Sequence, residues 1–175
     1  MKQVYLFRHG IALDLGQGGI TRDFDRPLSS RGEEKTRAVA EGLLATGVKP
    51  DLVGSSALVR ARETAEIVRD VLLPNQPVTL CDFMAPGGAS AALFKWLQTR
   101  SEKSILLVGH MPDLSTFTAL CQPPETREWV VFKKAGCACI VFENQIGAGY
   151  GSLAWYRSPS ELRTRADGAA DAPSA

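Results

Sequence analysis

Between residues 2 and 121 short apolar runs alternate with longer amphipathic ones, three times over, and this rhythm constrains the fold more than any other feature. "KQVYLFR" at 2–8, rich in Val, Tyr, Leu and Phe, reads as a strand. "LSSRGEEKTRAVAEGLLATG" at 28–47 reads as a helix: Ala40, Leu43 and Leu44 help form its apolar face, and Gly47 is a stop. Ser30 with Glu33 fits a capping box, with Ser29 as the alternative cap. "DLVGSS" is a short buried strand, and "ALVRARETAEIVRDVLL" a second amphipathic helix ended by Pro74. "VTL" at 78–80 is a weaker strand leading into the loop "CDFMAPGG", and "ASAALFKWLQTR" is a third helix. "SILLVGH" is the most apolar strand, followed by a helix starting near Pro112. Strands separated by helices pair in parallel, and the helices cover both faces of the sheet. The expected fold is a three-layer α/β/α sandwich around a mostly parallel central sheet.

After Pro123-Pro124 the pattern changes. "WVVFKKAGCACIVFENQIGAGYGSLAWYRSP" reads as strand, glycine turn, strand, glycine-rich turn, strand. Beyond about residue 158 the chain is rich in Ala, Pro and Ser and is expected to be a mobile tail. The expected organisation is one domain over 1–158 and a tail over 159–175.

Charge narrows the range of partners. Lys and Arg number 20 against 19 Asp and Glu, so any positive field must be local, and the balance gives no reason to expect nucleic acid or an anionic membrane as partner. No apolar stretch approaches the roughly 20 residues that span a bilayer. "MKQVYLF" runs straight into a strand without a signal-peptide apolar region, so the expected compartment is the cytoplasm. The four cysteines are not spaced like a zinc site; Cys137 and Cys139 share one face of a strand, as buried free thiols do, and no structural disulfide is expected.

The chain has only two histidines, His9 and His110, and each stands where an apolar strand ends. Ligands of parallel sheets bind outside the carboxyl ends of the strands. Three segments meet there: Arg8-His9-Gly10, "SSALVRARETA" and Gly109-His110. An arginine fork pairs with phosphate oxygens and stays charged, and an unprotonated imidazole nitrogen can attack phosphorus. Gly10 would allow close ligand approach and a positive φ. Taken singly, the Arg8-His9 pair reads as a surface feature, Arg60 and Arg62 as a solvated helix face paired with Glu63 and Glu66, and His110 as a satisfied core histidine. Those readings weaken together, because three separate strand ends supply groups that suit one phosphate.

"LFRHG", "SSALVRARETA" and "LLVGHMP" resemble the three signatures of the histidine phosphatase superfamily, also called phosphoglycerate mutase-like, and most of all its small bacterial phosphohistidine phosphatases of the SixA type. "RPLSSRG" and "GSLAWYRSP" extend the resemblance over about residues 2 to 162. It implies the phosphoglycerate mutase-like fold, with His9 as the nucleophile that becomes phosphorylated, Arg8 and Arg60 as phosphate ligands, and His110 as the second histidine on the phosphoryl group. It implies no metal and no cofactor. Arg62 does not fall on the family arginine and is expected to be structural or exposed.

Members acting on phosphate esters use a carboxylic acid to protonate the leaving oxygen. Asp82 is the only carboxylate where that acid would sit, and it reads equally as a turn residue. Only about fifty residues separate Arg60 from His110, too few for the lid-forming insertions of larger members. A shallow, lidless pocket suits a phosphoryl group presented on another protein. The resemblance therefore implies a phosphatase acting on a phosphohistidine-bearing signalling protein. The alternatives are a phosphatase for small phosphate esters, with Asp82 as acid, and a non-catalytic phosphohistidine-binding module. Retention of both histidines argues against the last, since a binding module needs no nucleophile.

Overall fold

The computed structural model describes residues 1–170, with side chains through residue 166. Six strands form one sheet: β1 (Lys2–Arg8), β2 (Leu52–Ser55), β3 (Thr79–Leu80), β4 (Ser104–Gly109), β5 (Cys137–Phe142) and β6 (Gly151–Arg157). The helices are α1 (Ser30–Ala45), α2 (Val59–Leu72), α3 (Ser90–Gln98), α4 (Asp113–Cys121) and α5 (Pro159–Ala170). The order across the sheet is β3-β2-β4-β1-β5-β6. The first four strands pair in parallel; β5 and β6 add antiparallel on the far side of β1. The mostly parallel α/β sheet expected from the alternation is therefore present.

The central strands are apolar on both faces because each face has its own core. Tyr5 and Phe7 of β1 and Leu106 and Val108 of β4 pack with Val39 and Leu43 of α1 and Ala65 and Val68 of α2. Val4, Leu6, Ile105 and Leu107 face the other way, against Leu93 and Leu97 of α3 and Leu114 and Phe117 of α4. Side chains alternate across a strand, so a continuous apolar run is what a doubly covered strand requires. Cys137 and Cys139 lie buried in the first of these cores, and all four cysteines are buried free thiols. Among the described residues no helix is long and apolar enough to cross a membrane.

Three expectations are corrected. "WVVF" does not form a strand: Val130 and Phe132 are buried and Trp129 and Val131 exposed, but the segment pairs with no strand, and both edges of neighbouring β1 are taken by β4 and β5. Residues 159–170 are not a loose tail but helix α5, whose Leu162 is fully buried against α1. The two helices lie so close at Gly42 that a Cβ there would come within 1.9 Å of the Leu162 carbonyl oxygen. Residues 171–175 lie outside the described residues. Finally, α1 is capped by Ser29 rather than Ser30: its hydroxyl accepts from the Gly32 N–H at 3.1 Å and donates to the Ile11 carbonyl at 3.2 Å. The start of α1 is thereby pinned to the loop that follows His9.

Candidate active site

The parallel register aligns Arg8 of β1 with Gly109 of β4, and this brings the two histidines together. The His9 backbone N–H donates to the Gly109 carbonyl at 3.2 Å, and the two imidazole rings lie 5.1 Å apart between centroids, tilted by 48°. From the neighbouring strand, the Ser56 N–H donates to the Val108 carbonyl at 3.1 Å, which sets the first turn of α2 and hence Arg60 beside the same edge. Thr64 locks the two motifs together: its hydroxyl accepts from the Gly10 N–H at 3.0 Å and donates to the Arg60 carbonyl at 2.6 Å.

Gly10 is needed for a reason the sequence reading did not give. Its φ is not positive; instead a Cβ would come within 2.4 Å of the Thr36 hydroxyl oxygen and 3.1 Å of Leu28. The glycine lets the loop after His9 pass against α1.

The His9 Nδ1 lies 2.8 Å from its neighbour's carbonyl, Gly10 O. A carbonyl only accepts, so Nδ1 carries the proton and Nε2 keeps its lone pair. Burial lowers the His9 pKa to about 3, helped by His110, Arg60 and Arg8 and opposed by the Gly10 contact. His110 is likewise lowered to about 4, by burial and then by Arg60. Both rings are therefore neutral at physiological pH. The Ser56 hydroxyl accepts from the Leu58 N–H at 3.3 Å and lies 3.0 Å from His110 Nε2. With Ser56 donating its own proton to Nε2, His110 Nδ1 becomes a donor.

Three buried donors are left without a protein partner at this edge: Arg8 Nε, Arg60 Nε and His110 Nδ1. Buried donors are rarely orphaned, and three at one sheet edge suit an anion with several oxygens. Arg8 is otherwise held through Nη1 on the Phe132 carbonyl at 2.6 Å, and burial pulls its pKa below the ordinary value. That cost would be relieved by a bound anion.

Arg60 and Arg62 separate as expected. The Arg60 side chain is 7% exposed at the site, whereas that of Arg62 is 47% exposed and paired loosely with Glu66 at 3.7 Å. Glu63 is not a partner of either arginine; its carboxylate accepts from the Leu28 N–H at 2.6 Å and ties the 10–28 loop to α2. Asp82 is exposed at the start of a single 3-10 turn (Asp82–Met84), and its carboxylate has no hydrogen-bond or salt-bridge partner among the described residues.

The carboxylate that does reach the site is Asp23, in the loop between β1 and α1. Its backbone carbonyl accepts from Arg60 Nη1 at 2.7 Å and its Oδ2 from Nη2 at 2.9 Å, while Oδ1 meets Arg26 at 2.9 Å. Arg26 and Arg60 hold the Asp23 pKa below the ordinary carboxylate value. The region between Arg60 and His110 is filled by α2, β3, α3 and β4, with no inserted lid, but the 10–28 loop approaches from the other side and contacts Arg60. "DFDRP" holds two aspartates, and nothing in the run itself tells which of them meets Arg60.

A parallel sheet edge that gathers two neutral imidazoles and two arginines defines a phosphoryl-handling protein, and comparison with known proteins agrees. Residues 4–83 match the model of the histidine phosphatase superfamily, branch 1. An uncharacterised protein of Picosynechococcus is 36% identical over 137 residues, covering 77% of this chain and 81% of that protein. The phosphohistidine phosphatase SixA of Escherichia coli is 29% identical over 165 residues, covering 92% and 96%. Among solved structures, the protein histidine phosphatase SixA complexed with tungstate superimposes with a TM-score of 0.79 at 28% identity, covering 91% of this chain and 99% of that one. The chain belongs to the histidine phosphatase superfamily. This membership supports phosphatase activity.

Proposed function

We propose that this protein hydrolyses phosphohistidine on another protein, without a metal, through a phosphohistidine formed on His9. The observation that carries the reading is the free Nε2 lone pair of His9 among three unpartnered donors on Arg8, Arg60 and His110. In the first step Nε2 attacks phosphorus and the bond from phosphorus to the substrate's ring nitrogen breaks; the departing nitrogen takes a proton. In the second, water attacks the phosphorylated His9, inorganic phosphate leaves, and the imidazole is restored. Arg8 and Arg60 meet the charge on the equatorial oxygens throughout, and His110 donates from Nδ1. The phosphoryl charge is met by the guanidinium groups of Arg8 and Arg60, which carry charge without a metal.

The choice of phosphohistidine over a phosphate ester follows from the acid. Asp23 is held ionised by two arginines and is no ready proton donor, and Asp82 is exposed on its turn. A leaving imidazole can be protonated from solvent, whereas an alkoxide needs a positioned acid. The SixA proteins with which the chain aligns are named for phosphohistidine, and one binds tungstate, a tetrahedral oxyanion.

The test is a side-by-side assay on a phosphohistidine-bearing protein and on p-nitrophenyl phosphate, with His9→Ala as control. Wild type should favour the protein substrate, and the variant should be inactive on both. The trapped phosphoenzyme should be acid-labile and base-stable. A base-labile, acid-stable phosphoenzyme, or a preference for the aryl ester, would overturn the reading.

A further inference from the structure

Beside Arg8, on the α1 side, the surface folds into a recess of about 430 Å³. It is lined by five cationic side chains, Arg8, Lys35, Lys133, Lys134 and Arg163, and by no carboxylate among the described residues. Apart from Arg8 these cations take no part in the chemistry proposed above. None of the five has a salt-bridge partner among the described residues. First-turn residues of two helices, Gly32 of α1 and Ser160 of α5, also line the recess, so the positive ends of both helices add to its field.

The opposite flank of α1 carries the reverse charge. Glu33 and Glu34 join Glu63, Glu66 and Asp70 around a second hollow, with Arg37 as its one cation among the described residues. In a chain of 20 basic and 19 acidic residues, charge has been separated across a single helix. Five like charges around a concavity repel one another, and an anionic occupant relieves that repulsion.

We infer that the recess docks an acidic stretch of the phosphorylated protein whose phosphohistidine enters the neighbouring site, an inference that rests on the reaction proposed above. Arg8 belongs to both places, so whatever fills the recess lies next to the phosphoryl group. The volume is that of a peptide fragment rather than an ion. Three of the five cations are lysines, point charges on flexible stems, and Lys133 and Lys134 are exposed. Such groups sum their charge over an acidic surface; they do not form the converging guanidinium forks that fix one small phosphate. Docking of this kind raises the association rate and the salt sensitivity with protein substrate and leaves the chemical step alone.

The test compares Lys35→Glu/Lys134→Glu/Arg163→Glu, and its milder Gln counterpart, with a control that reverses three exposed lysines elsewhere, Lys49, Lys95 and Lys103. Arg8 is left intact. Anisotropy with a fluorescein-labelled octaglutamate, and KM on a phosphohistidine-bearing acidic carrier, should both worsen about tenfold or more in the recess variants and about twofold or less in the control. Turnover of p-nitrophenyl phosphate should stay within about twofold throughout. Equal loss in recess and control variants would mean unspecific attraction and overturn the inference. So would unchanged octaglutamate binding, or loss confined to pyrophosphate, which would make the recess a small-anion subsite. A fall in aryl phosphate turnover that tracks peptide binding in both recess variants would assign the cations to the phosphoryl site and overturn it as well. Octaglutamate binding needs no turnover, so a wild type that binds the peptide but spares phosphohistidine would sink the proposed reaction alone.

Discussion

His9 is a buried imidazole with its proton placed by a backbone carbonyl, and its behaviour in solution follows from that. With pKa values lowered to about 3 for His9 and about 4 for His110, neither ring should titrate between pH 8 and 5. The chain has no other histidine, so two imidazole signals in a proton NMR titration report the site directly. A midpoint near 6.5 for either would show it to be solvated. The arginines give a second prediction. Arg60→Ala should lower kcat/KM by about 10² to 10³, the scale for one preorganised charge-stabilising donor, while Arg62→Ala should cost less than about twofold. Arg8, His9, Arg60 and His110 were legible in the sequence because strand and helix ends fix where their backbones lie. Asp23 was not, because a loop of mixed turn residues does not announce which side chain will face a buried guanidinium. The role of Gly10 was misread for the same reason: what it meets, Thr36, comes from another element.

At the scale of elements, α5 shows a signal that composition concealed. Ala, Pro and Ser suggested a tail, yet "SPSE" at 158–161 is a helix start: the Ser158 N–H donates to the Glu161 carboxylate at 2.8 Å, and the Glu161 N–H to the Ser158 hydroxyl at 3.4 Å. That reciprocal pair, with Pro159 in the first turn, is a capping box. Among the described residues Leu162 alone of this helix is buried, too little to produce a visible period. Leu162→Ala should therefore destabilise the protein by about 2 to 5 kcal/mol in urea unfolding, as deletion of a fully buried leucine does. A change within about 0.5 kcal/mol would return the segment to the status of a tail. "WVVF" failed in the opposite sense: its alternation was real and its burial followed, but alternation cannot say whether a partner edge is free. The strand-helix units were legible because both the apolar run and the amphipathic run are long enough to carry a period.

For the molecule as a whole, burying two neutral imidazoles beside two guanidiniums ties stability to pH. The folded pKa values lie below the unfolded value of about 6.5, so the unfolded chain binds protons first as pH falls. The stability is fully present above pH 6.5 and is lost progressively toward pH 4, by about 1.4 kcal/mol per pH unit for each histidine. A bound dianion reverses the local balance, because the phosphoryl site then favours imidazolium. Sulfate is the suitable probe, since its own charge does not change over this range. It should raise Tm more at pH 5.5 than at pH 8, and the difference should vanish in Arg60→Ala, where the anion loses a ligand while general salting-out persists. A gain equal at both pH values in wild type would mean that the two histidines do not face the bound oxyanion, and His9 would then lose its place as nucleophile.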